Sequence, residues 1–184
     1  MGYVLLGGPG AGKGTQAKYL SQHLGLPWIS TGNLLHQEIA TGSDLGQRLQ
    51  PIVEAGDLVQ DELMIALMRQ RLQQPDLAEG WLLDGYPRTA VQAEELDFVL
   101  SDLGQRVDWA IWLEVPVEVL QLRSQQRDRS DDSPDAIARR IALTFERTVP
   151  ILDYYEYRQR LLRIDGNQPQ AQVSAAILAA LATV

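Results

Sequence analysis

The stretch GGPGAGKGTQ, residues 7–16, sets Gly7, Gly12 and Lys13 in the spacing G-x-x-x-x-G-K. Glycines let a backbone curl until successive N–H groups converge on one anion, and a lysine adds a point charge. That chemistry is phosphate binding, and Gly10, Ala11, Gly12, Lys13, Gly14 and Thr15 are its candidate residues. A second stretch, RSQQRDRSDD at 123–132, places Arg123, Arg127 and Arg129 within seven residues of a chain whose formal charge is −8. A planar guanidinium fork suits phosphate oxygens, although a run of charges also serves as an ordinary solvated face. Lys13 and Lys18 are the only lysines among 16 basic residues.

The residue after Lys13 is Gly14, where GTPases and many ATPases place a magnesium-binding hydroxyl, and Thr15 follows. A carboxylate at the end of another strand then gains weight for magnesium, acting through water. Asp84, closing GWLLD, is the candidate, with a buried structural aspartate as the alternative.

These groups need elements to position them. YVLLG (3–7), GWLLD (80–84) and DWAIWLEV (108–115) read as buried parallel strands, with PWIS (27–30) and LLRID (161–165) as weaker candidates. Between them lie helical patterns: KGTQAKYLSQHLG stops at Gly25, DELMIALMRQRL spaces Leu63, Leu67 and Met64, Met68 at i, i+4, and SPDAIARRIALTFERT opens on Ser133 and Pro134. The alternation predicts an α/β domain with a mostly parallel sheet. Residues 30–73 break the rhythm, nearly all helical, with Gly42, Gly46, Gly56 and Pro51 expected in turns between short helices.

At 184 residues, 45% hydrophobic and 22% charged, the chain fits one soluble domain. Its acidic balance argues against general nucleic-acid binding. With no cysteine and two isolated histidines, no zinc site is expected. The N-terminus lacks a signal-peptide pattern, and VSAAILAALATV is too short to span a bilayer and reads as the buried face of a last helix. A cytoplasmic monomer with no membrane partner is the expectation.

GGPGAGKGTQ, STGNLL (30–35), LDGYPRT (83–89) and the arginine run, in that order along the chain, resemble the adenylate kinases of the nucleoside monophosphate kinase family. The resemblance implies a three-layer P-loop fold around a central five-stranded parallel sheet. It implies a core at 1–29, 60–122 and 133–184, a helical monophosphate-binding flap at 30–59, and a minimal lid at 123–132. The implied reaction is ATP + AMP ⇌ 2 ADP with Mg²⁺, the lid closing over the substrates.

The resemblance also assigns roles. ATP falls to residues 10–15 with Arg123, Arg127 and Gln168, and magnesium to Thr15 and Asp84, largely through water. AMP falls to Thr31, His36, Asp57, Leu58, Val59, Gly85, Tyr86, Pro87, Arg88, Gln92, Arg129 and Arg140. Lys13, Arg88, Arg123, Arg129 and Arg140 carry the transfer, and Arg139 stays on the solvated face. Gln92 matches the amide that reads the adenine edge and Thr31 the adenylate-type STG; a surface amide and a helix cap are the alternatives.

The family's flap reads S-T-G-D-[LM]-L-R, whereas this chain carries Asn33 and His36 at the acidic and basic positions. Histidine is shorter than arginine and lacks the bidentate fork. Weaker AMP binding, another monophosphate acceptor, or a nucleotide-binding module with reduced catalysis are the readings this leaves, with Arg48 a candidate to compensate.

Overall fold

A computed structural model describes residues 1–126 and 133–183. All five expected strands form: β1 (Gly2–Leu6), β2 (Trp28–Ser30), β3 (Trp81–Asp84), β4 (Trp109–Glu114) and β5 (Leu161–Asp165). They pair in parallel in the order β2-β3-β1-β4-β5. The three central strands are apolar on both faces because helices cover both. One face carries Val4, Leu6, Leu83, Ala110 and Trp112 into one core; the other carries Tyr3, Leu5, Leu82, Ile111 and Leu113 into a second.

The helices are α1 (Lys13–Leu24), α2 (Thr31–Ala40), α3 (Asp44–Glu54), α4 (Asp61–Leu72), α5 (Ala90–Asp102), α6 (Val117–Gln125), α7 (Pro134–Leu143), α8 (Pro150–Tyr157) and α9 (Gln170–Ala182). Gly25 caps α1 in the left-handed region at φ 68°, where a side chain is disfavoured. Met64, Met68 and Leu72 form the buried stripe of α4, and Leu63 packs partly against the same core. Ser133 accepts a hydrogen bond from the Ala136 N–H, and Pro134 takes the first position of α7, where its missing N–H costs nothing. Val173, Ser174 and Ile177 are the buried residues of α9.

Residues 30–73 hold α2, α3 and the whole of α4, with no strand beyond the end of β2. Gly42 and Gly56 turn the chain at positive φ, as expected of them. Gly46 and Pro51 do not: both lie inside α3. The backbone of α2 passes so close that a Cβ on Gly46 would collide with the Glu38 carbonyl oxygen, so this glycine serves helix–helix approach. Pro51 supplies no N–H to the Gln47 carbonyl, a loss an exposed helix tolerates where packing holds it. Leu49 and Val53 provide that packing from the buried side of α3. Among the described residues no helix is long and apolar enough to cross a membrane.

Candidate active site

The carboxyl ends of β1, β2 and β3 meet at one rim of the sheet, where Ser30 and Leu5 both stand in register with Asp84. Parallel α/β sheets expose their chain reversals at this rim, so ligands collect there. A cleft of about 860 Å³ opens above it.

The P-loop forms one wall. Gly10 at φ 82° and Gly12 at φ 95° take left-handed turns that lead into the N-terminus of α1. That helix end adds its positive dipole to the loop N–H groups. Lys13 Nζ donates to the Gly7 carbonyl at 2.7 Å and to the Gly8 carbonyl at 2.9 Å, which lays the ammonium over the loop. A Cβ built on Gly14 would lie 3.8 Å from Asp84 Oδ2, so the carboxylate borders the loop one residue beyond Lys13. Asp84 is 8% exposed, and it is at once buried and part of the cleft lining.

The opposite wall is built around Arg88. Its Nε donates to the Gly85 carbonyl at 2.7 Å, its N–H donates to Gln92 Oε1 at 2.8 Å, and its carbonyl accepts from Thr148 Oγ1 at 3.0 Å. Gly85 sits at φ 86°, and a Cβ there would lie 2.6 Å from Thr31 Oγ1 and 3.0 Å from an Arg88 terminal nitrogen. Only glycine lets the chain turn so tightly beneath the guanidinium. Burial lowers the Arg88 pKa; Asp84 opposes that shift, and Arg140 adds to it. Guanidinium nevertheless stays charged in proteins, so this wall presents a partly desolvated cation.

Two more arginines reach the cleft from the side. Arg123, on α6, donates to the Gly166 carbonyl at 3.0 Å, and Arg140, on α7, donates to the Val53 carbonyl at 2.8 Å. Arg127 and Arg129 lie outside the described residues, as does the remainder of the expected lid from 127 to 132.

The other expected positions divide into two groups. Gly10 to Thr15, His36, Asp57, Leu58, Gly85, Pro87 and Gln168 line the cleft. Gln168 is exposed, and its amide donates to Asp165 Oδ2 at 2.9 Å. Thr31, Val59, Tyr86 and Gln92 sit behind the lining. Ser30 accepts from the Asn33 N–H and is the cap of α2, so the cap reading of Thr31 does not hold; Thr31 Oγ1 instead donates to the Asp84 carbonyl at 3.2 Å. Nor is Gln92 a surface amide. It is 2% exposed, and its Nε2 donates to Asp61 Oδ1 at 2.8 Å while its Oε1 holds the Arg88 N–H. Val59 belongs to the core, and the buried Tyr86 hydroxyl donates to the Gln92 carbonyl.

Several contributors escaped the sequence reading. Arg139 is exposed, as expected, but its Nε pairs with the Asp57 carboxylate and joins α7 to the cleft-lining segment after α3. Asp61 and Thr148 support Arg88 through Gln92 and directly, and Trp28 lines the cleft beside Gly14. None belongs to a local motif; sequence spacing shows Trp28 only as a strand residue. Arg48 is exposed on α3 and does not line the cleft. No group of three or more His, Cys, Asp or Glu side chains suited to a metal occurs among the described residues.

The family model described as Adenylate kinase matches residues 5–160. The chain belongs to the adenylate kinase family. It is thus a nucleoside monophosphate kinase. Adenylate kinase 2 from Nostoc sp. is 51% identical over 178 residues, covering 97% of each chain. Adenylate kinase 2 from Synechocystis sp. is 50% identical over 181 residues, covering 98% of this chain and all of that one. The adenylate kinase of Stenotrophomonas maltophilia is 42% identical over 185 residues, covering 98% and 99%.

Proposed function

We propose that this adenylate kinase family member catalyses ATP + AMP ⇌ 2 ADP, with ATP on the P-loop and AMP on the Arg88 wall. The observation that carries the reading is the single cleft with Lys13 and its loop on one side, Arg88 on the other and Asp84 between them. Phosphoryl transfer asks the protein mainly for positioning and charge stabilisation. The loop N–H groups, Lys13 and the α1 N-terminus hold the ATP phosphates. Arg88 and His36 face the AMP phosphate, with Asp57 and Leu58 beside them and Thr31 and Val59 behind. An AMP phosphate oxygen attacks the γ-phosphorus, the bond from that phosphorus to the β–γ bridging oxygen breaks, and the leaving charge stays on ADP. Arg123 and Arg140, with Arg127 and Arg129 of the lid, neutralise the transferring group.

Mg²⁺ enters with ATP. One carboxylate and one hydroxyl, Asp84 and Thr15, fit an ion that keeps most of its waters and takes phosphate oxygens as ligands. The remainder of the proposed division is a flap at 30–59 that brings His36 to the acceptor.

One observation favours a broader acceptor range as a second reading. Gln92 is 2% exposed and sits behind the cleft lining, bonded to Asp61 and to the Arg88 N–H, so reading adenine with its second N–H and remaining lone pair requires the amide to be uncovered. The test is ADP formation from MgATP with AMP, CMP, UMP, GMP and dAMP as separate acceptors. Turnover with AMP at least tenfold above the others is expected. Equal turnover with several would establish the broader range, and none with AMP would refute the proposal.

A further inference from the structure

Ser124 lies in the last turn of α6 and is 0% exposed. Its hydroxyl is one of the buried side-chain polar atoms without a hydrogen-bond partner among the described residues. A helical serine commonly returns its hydroxyl to the carbonyl one turn back, and leaving it buried and unpaired is unfavourable. What it faces is the P-loop. A Cβ on Gly10 would lie 2.9 Å from Ser124 Oγ, 2.6 Å from the Leu120 carbonyl and 3.3 Å from the Arg123 Cβ. The end of α6 therefore presses an unsatisfied hydroxyl directly onto the loop, one residue from an arginine of the cleft.

The loop has reason to move. Lys13 Nζ rests on the Gly7 and Gly8 carbonyls, and phosphate oxygens compete for the same ammonium protons. We propose that Ser124 is a positioning residue for ATP: as the loop closes on phosphate, its hydroxyl hydrogen-bonds the backbone of residues 9–11. That bond fixes the loop and the Arg123-bearing helix in one geometry. A hydroxyl both donates and accepts, so either a carbonyl or an N–H of that segment satisfies it. The inference rests on the assignment of the ATP phosphates to the P-loop.

The experiment is Ser124→Ala in the full chain, with titration calorimetry of ATP and AMP and thermal melts of the ligand-free protein. Loss of one neutral hydrogen bond formed only in the ATP complex predicts a Kd for ATP raised about five- to tenfold. The Kd for AMP stays within twofold, and the ligand-free melting temperature is unchanged or higher. Ser124→Cys, which keeps a weak donor, falls between. An unchanged Kd for ATP would overturn the proposal, because the hydroxyl would then be merely unsatisfied. A lower melting temperature with both ligands weakened alike would overturn it too, by showing a packing role. Lys13→Met binding ATP as tightly as the wild type would instead refute the P-loop assignment beneath it.

Discussion

Arg88 owes its place to three partners: Gly85 below it, Gln92 at its N–H and Thr148 at its carbonyl. LDGYPRT reveals the glycine and the arginine and Gln92 follows close behind, but its hold on the Arg88 N–H and the part of the distant Thr148 show only in the folded chain. His36 is placed differently. It lies exposed on α2 at the cleft wall, where the family pattern has an arginine. His36→Arg restores a fork that bonds phosphate, and a charge-assisted hydrogen bond contributes on the order of 1–3 kcal/mol. The KM for AMP is expected to fall about tenfold or more while the KM for ATP stays within twofold, measured in steady-state assays. An unchanged KM for AMP would remove His36 from the acceptor site.

At the scale of elements, the five strands and the helices α1, α4 and α7 were legible because apolar runs, caps and i, i+4 spacing are local signals. Gly46 and Pro51 misled for the same reason: their local preference is for turns, and the tight packing of α2 on α3 outweighs it. Tyr155 shows a further thing spacing cannot reveal. It is 1% exposed on α8, edge-on to Tyr154 at 5.3 Å, and its hydroxyl has no hydrogen-bond partner among the described residues. Burial first, then the charge of Asp97, pushes its pKa well above the ordinary phenol value. A raised folded-state pKa contributes stability that is whole below about pH 10 and is lost as pH rises further, when the unfolded chain releases a proton the folded chain retains. Tyr155→Phe keeps the ring and removes the hydroxyl. We expect it to be as stable as the wild type at pH 7 or up to about 2 kcal/mol more stable, with a shallower loss above pH 10 in urea melts. Destabilisation by more than about 2 kcal/mol would show that the hydroxyl is satisfied.

For the whole molecule, the parallel sheet explains why chemistry dispersed from Gly7 to Gln168 converges. Three strand ends, the P-loop, the start of α2 and the segment after β3 share one rim, and α6 and α7 bring Arg123 and Arg140 to it. The P-loop was readable because its atoms are contiguous in sequence. The links from α7 to α3 and the segment after it, through Arg140 to Val53 and Arg139 to Asp57, were not, since each joins residues more than eighty positions apart. The account's central claim is that the two walls of this cleft serve different nucleotides. Titration calorimetry of ATP and of AMP against wild type, Lys13→Met and Arg88→Ala tests it most directly. Lys13→Met should weaken ATP at least tenfold and leave AMP within about threefold, and Arg88→Ala should do the reverse. Equal weakening of both nucleotides by either substitution, or no change from Arg88→Ala, would contradict the division of the site.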